Sequence, residues 1–295
     1  MPLRFPLIAT AFVLALAPRT FSATPPNPTP ALTAAQVIER IQQQTAIPWT
    51  GPTVDVFKAG DPNTPVKGIA VTMMATFDVL RRAAASGANL IITHEPTFYG
   101  HQDVTAGMET ENDQVLAAKQ ELIKKHGLVI FRFHDYLHRM KPDPVITGVT
   151  NVLGWQKFQT NPAEGKYVLP ETTLEELAAH IRDRFRIKAL RVVGDPKSKV
   201  TKIGFSPGAS GFAAHRRVLQ GPDVEVLMFG EGTEWDTIEY GVDAVAAGQR
   251  KGLIILGHIP SEEAGMIECT KWLKTFVTEV PVEFVVTPEP FWSPK

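Results

Sequence analysis

The chain has 295 residues, with 30 Lys and Arg against 31 Asp and Glu for a formal charge of −1, so no basic surface argues for a nucleic-acid partner. At 44% hydrophobic and 21% charged it has an ordinary globular composition, and its length suits one large domain or two modest ones. A single cysteine, Cys269, excludes an internal disulfide and a multi-cysteine zinc site, and suits a place as a small buried hydrophobe on a helix face.

Arg4 precedes an apolar run, Phe5 to Ala17, followed by Pro18-Arg19-Thr20-Phe21-Ser22-Ala23. These are the basic, hydrophobic and small-residue regions of a secretory signal peptide, too short for a comfortable membrane span. Residues 1–23 therefore read as a signal peptide and 24–30, rich in proline, as a flexible leader. That makes the protein exported, periplasmic or extracellular, with an uncleaved signal anchor as the alternative. No other apolar stretch is long enough to cross a bilayer, so no stable membrane insertion is expected after processing.

Thr33 and Gln36 form a capping box for a helix to Thr45, with Val37 and Ile41 on its apolar face. Val54–Phe57 and Val66–Val71 read as strands, a helix follows from Thr76 to Ala85, and Gly87 closes it. The short apolar run Leu90-Ile91-Ile92-Thr93 then suits a strand covered on both faces. This β-α-β order implies a parallel sheet. Past the strand stand His94, Glu95 and Pro96, then a polar loop with His101 and Asp103, where the mouth of a site is expected. An amphipathic helix, Glu111 to Lys125, leads to a strand Leu128–Phe133, which runs into His134-Asp135-Tyr136-Leu137-His138. Lys141-Pro142-Asp143-Pro144 breaks the chain before a short helix, Val145–Leu153.

Trp155–Lys166 is polar, contains Pro162 and Gly165, and marks a boundary. Thr173 and Glu176 cap a helix to Phe185. Lys188–Val193 and Val200–Phe205 read as strands joined by the tight turn Gly194-Asp195-Pro196-Lys197, hence as a hairpin. Ser206–Gly211 opens onto a helix from Phe212 to Leu219 and is either an anion-holding loop or a packing turn. A strand Val224–Phe229, a helix Thr233–Ala247, a strand Leu253–Leu256, a helix Glu262–Phe276 and a strand Val282–Val286 complete the order.

Of eight histidines, four fall just past three of these strands: His94, His134, His138 and His258. The carboxyl ends of strands are where ligands sit in open α/β sheets. His134 and His138 are four apart, as are His258 and Glu262, which sets each pair on one face of a helical turn. Glu262, near a helix start, sits where a carboxylate is favoured. In our reading the three ends converge on one site for a pair of divalent metals, and imidazole with carboxylate suits zinc, iron or manganese. Fortuitous histidines in an α/β domain are the plain alternative. His126 reads as a helix C-terminal residue, His180 and His215 as solvent-facing, and His101 and Asp103 as mouth residues able to touch a substrate.

Three motifs carry a resemblance to the Nif-three-like family of dinuclear metal-centre proteins, often described as GTP cyclohydrolase type 2-like. The family has a strand ending in His-His-Pro, a second ending in His-Thr-x-x-Asp, and a late Gly-His-x-x-x-Glu. Here the corresponding residues are His94-Glu95-Pro96, His134 to His138, and Gly257-His258 with Glu262. The Val193–Asp195 turn, the Ser206–Gly211 loop and Phe229-Gly230-Glu231 are similar too, so the resemblance covers most of the chain after the leader.

The resemblance implies an α/β fold of two lobes of mixed sheets flanked by helices, with a metal site in the cleft between them. Residues 31–154 with 250–295 would form the metal-binding lobe and 155–249 the second lobe. Two divalent ions would be held by His94, Glu95, His138, His258 and Glu262, with Glu262 bridging. His134 would lie beside the ligands, and His134 or His101 would move protons. Glutamate replaces the family's histidine at 95 and histidine its aspartate at 138, so three histidines and two carboxylates are kept. The implied function is an exported dinuclear metal-dependent hydrolase acting on a small molecule, assembled as a homo-oligomer, a dimer or a hexamer. The alternative is a non-catalytic metal-binding or scaffold protein of the extracytoplasmic space.

Overall fold

The computed structural model describes residues 31–292 and 294, so the expected signal peptide and leader lie outside the described residues. Helices begin where side chains can accept the free amides of a first turn. Thr33 and Gln36 complete the expected capping box of Ala34–Thr45, Thr76 caps Phe77–Ala85, and Thr173 with Glu176 caps Leu174–Phe185. Asp113 caps Gln114–His126, the helix expected from Glu111, and a short helix, Ala106–Thr110, forms in the stretch expected to be a polar loop.

The strands are β1 Phe57–Ala59, β2 Ile69–Thr72, β3 Leu90–Thr93, β4 Val129–Arg132, β5 Gln159–Asn161, β6 Lys166–Thr173, β7 Arg191–Val193, β8 Lys199–Ser206, β9 Val226–Phe229, β10 Gly252–Ile255 and β11 Val282–Phe284. They form two mixed sheets, ordered β1-β4-β3-β2-β11 and β5-β6-β8-β9-β10-β7. In the first, β11, β2, β3 and β4 are parallel and β1 is antiparallel. In the second, β8, β9 and β10 are parallel between antiparallel outer strands.

Side chains alternate faces along a strand, and the alternation sorts the core into layers. Ile69 and Val71 of β2, Leu90 and Ile92 of β3, Val226 and Met228 of β9 and Ile254 of β10 share one core. Helix residues Ile41, Val149, Ile181 and Met266 join it. Ala70, Ile91 and Ile130 face the other way, onto Leu80, Leu116 and Leu122. Leu227, Phe229 and Leu253 likewise face Leu219. Helices therefore cover both faces of each sheet, and residues 31–295 cluster as one compact unit.

Several expectations are corrected. The strands expected as a hairpin do not pair with each other: β7 is an edge strand on β10, while β8 lies between β6 and β9. Burial decides this, because β8 ends in four buried residues whereas Arg191 and Val192 of β7 are exposed. The polar stretch at the expected boundary leads directly into β6, whose Tyr167 and Leu169 point inward, with Pro170 tolerated at an irregularity between Val168 and Thr172. The second sheet extends to Ile255, since β10 runs parallel to β9 and is buried throughout. Asp55 stands in no strand. His215 is buried, not solvent-facing, because it and Leu219 form the face by which helix Phe212–Gln220 packs on the second sheet.

Helix His258–Leu273, which carries two expected ligands, crosses helix Pro144–Leu153 at very short range. A Cβ on Gly148 would lie 2.4 Å from the Ala264 carbonyl carbon, and one on Gly265 would lie 2.6 Å from Val145 Cγ2. Only glycine at both positions allows this approach. Among the described residues no helix is long and apolar enough to cross a membrane.

Candidate metal centre

The donor residues come from the carboxyl ends of strands in both sheets. His94 and Glu95 continue β3, with their amides bonded to the carbonyls of Thr72 and Met73. His134 follows β4 and precedes the short helix Asp135–Arg139, which carries His138. Asp55 fixes that turn, as its carboxylate accepts the amides of His134, Asp135 and Tyr136 at 2.8, 2.9 and 2.8 Å. His258 opens the helix after β10, preceded by Gly257 at φ 90°.

Each of the four imidazoles is anchored through Nδ1. The partners are the Phe133 carbonyl for His94 at 3.1 Å, Asp135 for His134 at 2.9 Å, Asp143 for His138 at 3.1 Å and Glu231 for His258 at 3.0 Å. A carbonyl or carboxylate only accepts, so each Nδ1 donates, as metal-binding histidines do to their supporting groups. The Nε2 atoms point inward. His94 and His138 reach Glu262 at 3.6 and 3.7 Å, and His134 reaches Glu95 at 3.7 Å. His258 lies 3.0 Å from Glu262 and 3.3 Å from Glu95. Glu262 therefore stands between the imidazoles, with one oxygen toward His138 and the other toward His94 and His258.

Burial pushes the His94 pKa down to about 4, so its Nε2 carries a lone pair at neutral pH. That atom is buried without a hydrogen-bond partner and faces Glu262 Oε2 at 3.6 Å, the oxygen that also lies 3.0 Å from His258 Nε2. Two facing lone pairs repel, and a cation between them removes the conflict. Burial also raises the Glu95 carboxyl, but the bond from His258 and the neighbouring imidazoles outweigh it and hold the value at about 2. Burial likewise opposes charge on His258, yet its bonds to Glu231, Glu262 and Glu95 hold it up to about 12. The two carboxylates thus draw protons onto imidazole where no metal neutralises them. The donor set fits divalent metals: two overlapping groups, His94/His134/His138 and His94/Glu95/Glu262, each offer ligand atoms within 4.8 Å of one another. They form a dinuclear divalent-metal site.

His94, Glu95, His101, His134, His138, His258 and Glu262 gather here. His134, expected beside the ligands, sits within the first donor group. His101 lines the mouth of the cleft, which has a volume of about 340 Å³ and is closed on another side by Pro207, Ala209 and Ser210. Asp103 is not a mouth residue. Its side chain is 4% exposed and pairs with Lys58 at 3.2 Å and Arg132 at 3.7 Å. The Ser206–Gly211 loop has the packing role: Gly208 donates to Ser261 Oγ at 3.0 Å and presses against the Glu262 carboxylate.

Sequence reasoning missed four supporting residues: Asp55, Arg132, Asp143 and Glu231 as the anchor of His258. Arg132 is wholly buried and donates to Glu95 at 3.3 Å and to the His94 carbonyl at 3.0 Å. A charge inside the apolar run Ile130–Phe133 was the signal available for it.

Two mixed sheets with imidazole and carboxylate donors collected at their strand ends define the class as an α/β protein with a dinuclear metal centre. The chain belongs to the Duf34/NIF3 (NGG1p interacting factor 3) family, whose profile matches residues 37–290. A Clostridium acetobutylicum relative named GTP cyclohydrolase 1 type 2 homolog is 26% identical over 226 residues, 73% of this chain and 79% of its own. A Chlamydia muridarum relative of the same name is 21% identical over 239 residues, 79% of this chain and 89% of its own. A Staphylococcus aureus hypothetical protein has the same fold, with a TM-score of 0.68 at 17% identity over 89% of this chain and 99% of its own. A Bacillus cereus protein related to NIF3 matches with a TM-score of 0.68 at 15% identity over 88% and 98%.

Proposed function

We propose that the protein is an exported, dinuclear metal-dependent hydrolase acting on a small molecule. One observation carries this reading: four imidazoles, each with Nδ1 engaged by an acceptor, turn Nε2 onto the same two carboxylates. His94, Glu95, His138, His258 and Glu262 would hold the ions, with Glu262 between them and His134 as a further donor. Bound ions supply Lewis acidity, polarising a carbonyl or phosphoryl oxygen and lowering the pKa of water. His101, exposed, with its ring 6.0 Å from that of His134, is placed to carry protons between solvent and cleft. The cleft's modest volume suits a small substrate. The relatives' name points to hydrolysis of a nucleotide, and the donor set supports its hydrolytic part. The N-terminal apolar run supports export, and the family resemblance supports a homo-oligomer.

The number of inward donors favours a second reading, non-catalytic metal binding, because a filled coordination shell leaves no exchangeable position. Elemental analysis of the mature protein and a folded Glu262→Ala variant tests the metal centre. About two ions per chain, falling sharply in the variant, are expected. No bound metal after reconstitution with zinc, manganese and iron sinks the proposal. Ester, amide and phosphate substrates then separate the two readings: turnover that drops in His101→Ala at unchanged metal content supports the hydrolase. N-terminal sequencing of secreted material tests export.

A further inference from the structure

A second cavity, of about 560 Å³, adjoins the donor cleft and shares His258 with it. Its volume is that of a small-molecule site. Part of its lining is aliphatic and fixed, since Ile255, Leu256 and Ile259 are 3%, 2% and 7% exposed. Another part is aromatic: Phe291 and Trp292 line it and are 62% and 76% exposed. The segment leading to them is pinned in place. Thr287 donates its amide to Glu263 at 2.7 Å, and its hydroxyl accepts the Met74 amide at 3.1 Å. Glu289 accepts the amides of Lys188 and Ala189 at 2.8 and 3.3 Å.

The charged lining selects the ligand. Glu231 is engaged by His258, and Glu289 by those two amides. Among the described residues Arg191 pairs with Glu234, at 3.5 Å, and both side chains are largely exposed, so water screens that pair and leaves the guanidinium available. Arg191 is therefore open to an anionic group, beside the aromatic side chains.

The geometry points to a binding site for a flat aromatic ring bearing an anionic group. The ring lies against Phe291 and Trp292 and the anion at Arg191. Resting on the hydrolase reading, this is the organic part of the substrate, and the bond to be broken lies past His258 in the donor cleft.

Fluorescence titration of the full metal-loaded protein with anilinonaphthalene sulfonate, an aromatic anion, and with neutral phenylnaphthylamine tests the site. Saturable binding of about one probe per chain is expected. Trp292→Ala should weaken both probes by about tenfold, and Arg191→Gln the sulfonate alone by about fivefold. Both residues are exposed, so unchanged thermal melting is the folding control. Unsaturable binding, or equal affinity in Trp292→Ala, overturns the site. Equal sulfonate affinity in Arg191→Gln overturns the anionic class. Metal analysis of the same samples separates this proposal from the preceding one. Two bound ions without saturable probe binding defeat the cavity alone, whereas saturable binding without metal supports the cavity and defeats the metal centre alone.

Discussion

Arg132 Nη2 lies 3.3 Å from Glu95 Oε2, and the arginine side chain is wholly buried. This pair fixes one oxygen of the Glu95 carboxylate. The guanidinium engages one carboxylate oxygen, and the other remains toward His134 and His258. Replacing Arg132 by Met leaves Glu95 and Asp103 without their shared cation. A loss of about 3–5 kcal/mol in stability is expected for breaking a buried charge pair, together with weakened metal binding. Denaturant titration and elemental analysis read the two effects, and an unchanged midpoint would refute the first.

Gly208 is confined by both conformation and space. Its φ is +55°, and an added Cβ would stand 2.6 Å from Glu262 Oε1. Gly208→Ala should therefore displace the carboxylate and reduce metal affinity by about tenfold or more, beyond the roughly 1–2 kcal/mol of left-handed strain. Gly211→Ala is the control, since Gly211 has φ +82° with nothing within 4 Å. Equal metal affinity in the two variants would contradict the role given to Gly208.

Metal binding should release protons. His258 is held up to about 12 and so is charged at neutral pH in the metal-free protein, whereas His94, pushed down to about 4, has already lost its proton. A metal on His258 must displace that proton, so affinity rises with pH by about tenfold per unit for each proton released. Calorimetry in buffers of different ionisation enthalpy counts the protons. Affinity constant between about pH 6 and 8 would overturn this assignment.

Cys269 is fully buried, and burial pushes its thiol up to about 12. Since the thiolate is the reactive form, the native protein should resist alkylation at neutral pH, and the thiol should react only on unfolding. Rapid labelling of the folded chain would show that helix His258–Leu273 opens locally.

The site was legible where function is written locally. His94-Glu95, His134 with His138, and His258 with Glu262 each follow an apolar run, and four-residue spacing needs no knowledge of the fold. Capping boxes at Thr33 and Thr173 were equally local. What supports the donors was not legible, because Asp55 reaches His134 and Arg132 reaches Glu95 only after separate segments meet. The hairpin expectation failed for the same reason, since a tight turn between β-prone runs does not reveal that each strand has a better partner elsewhere. His215 was misplaced because one histidine on a helix does not disclose which face is covered.

The donor side chains also set an order in time. His94, Glu95, His134 and His138 come from the first half of the chain, and His258 and Glu262 stand near its end. A nascent chain therefore exposes an incomplete chelate until the last helix has been made and has slid into its glycine-lined crossing with Pro144–Leu153. Metal capture is thereby tied to completion of the polypeptide.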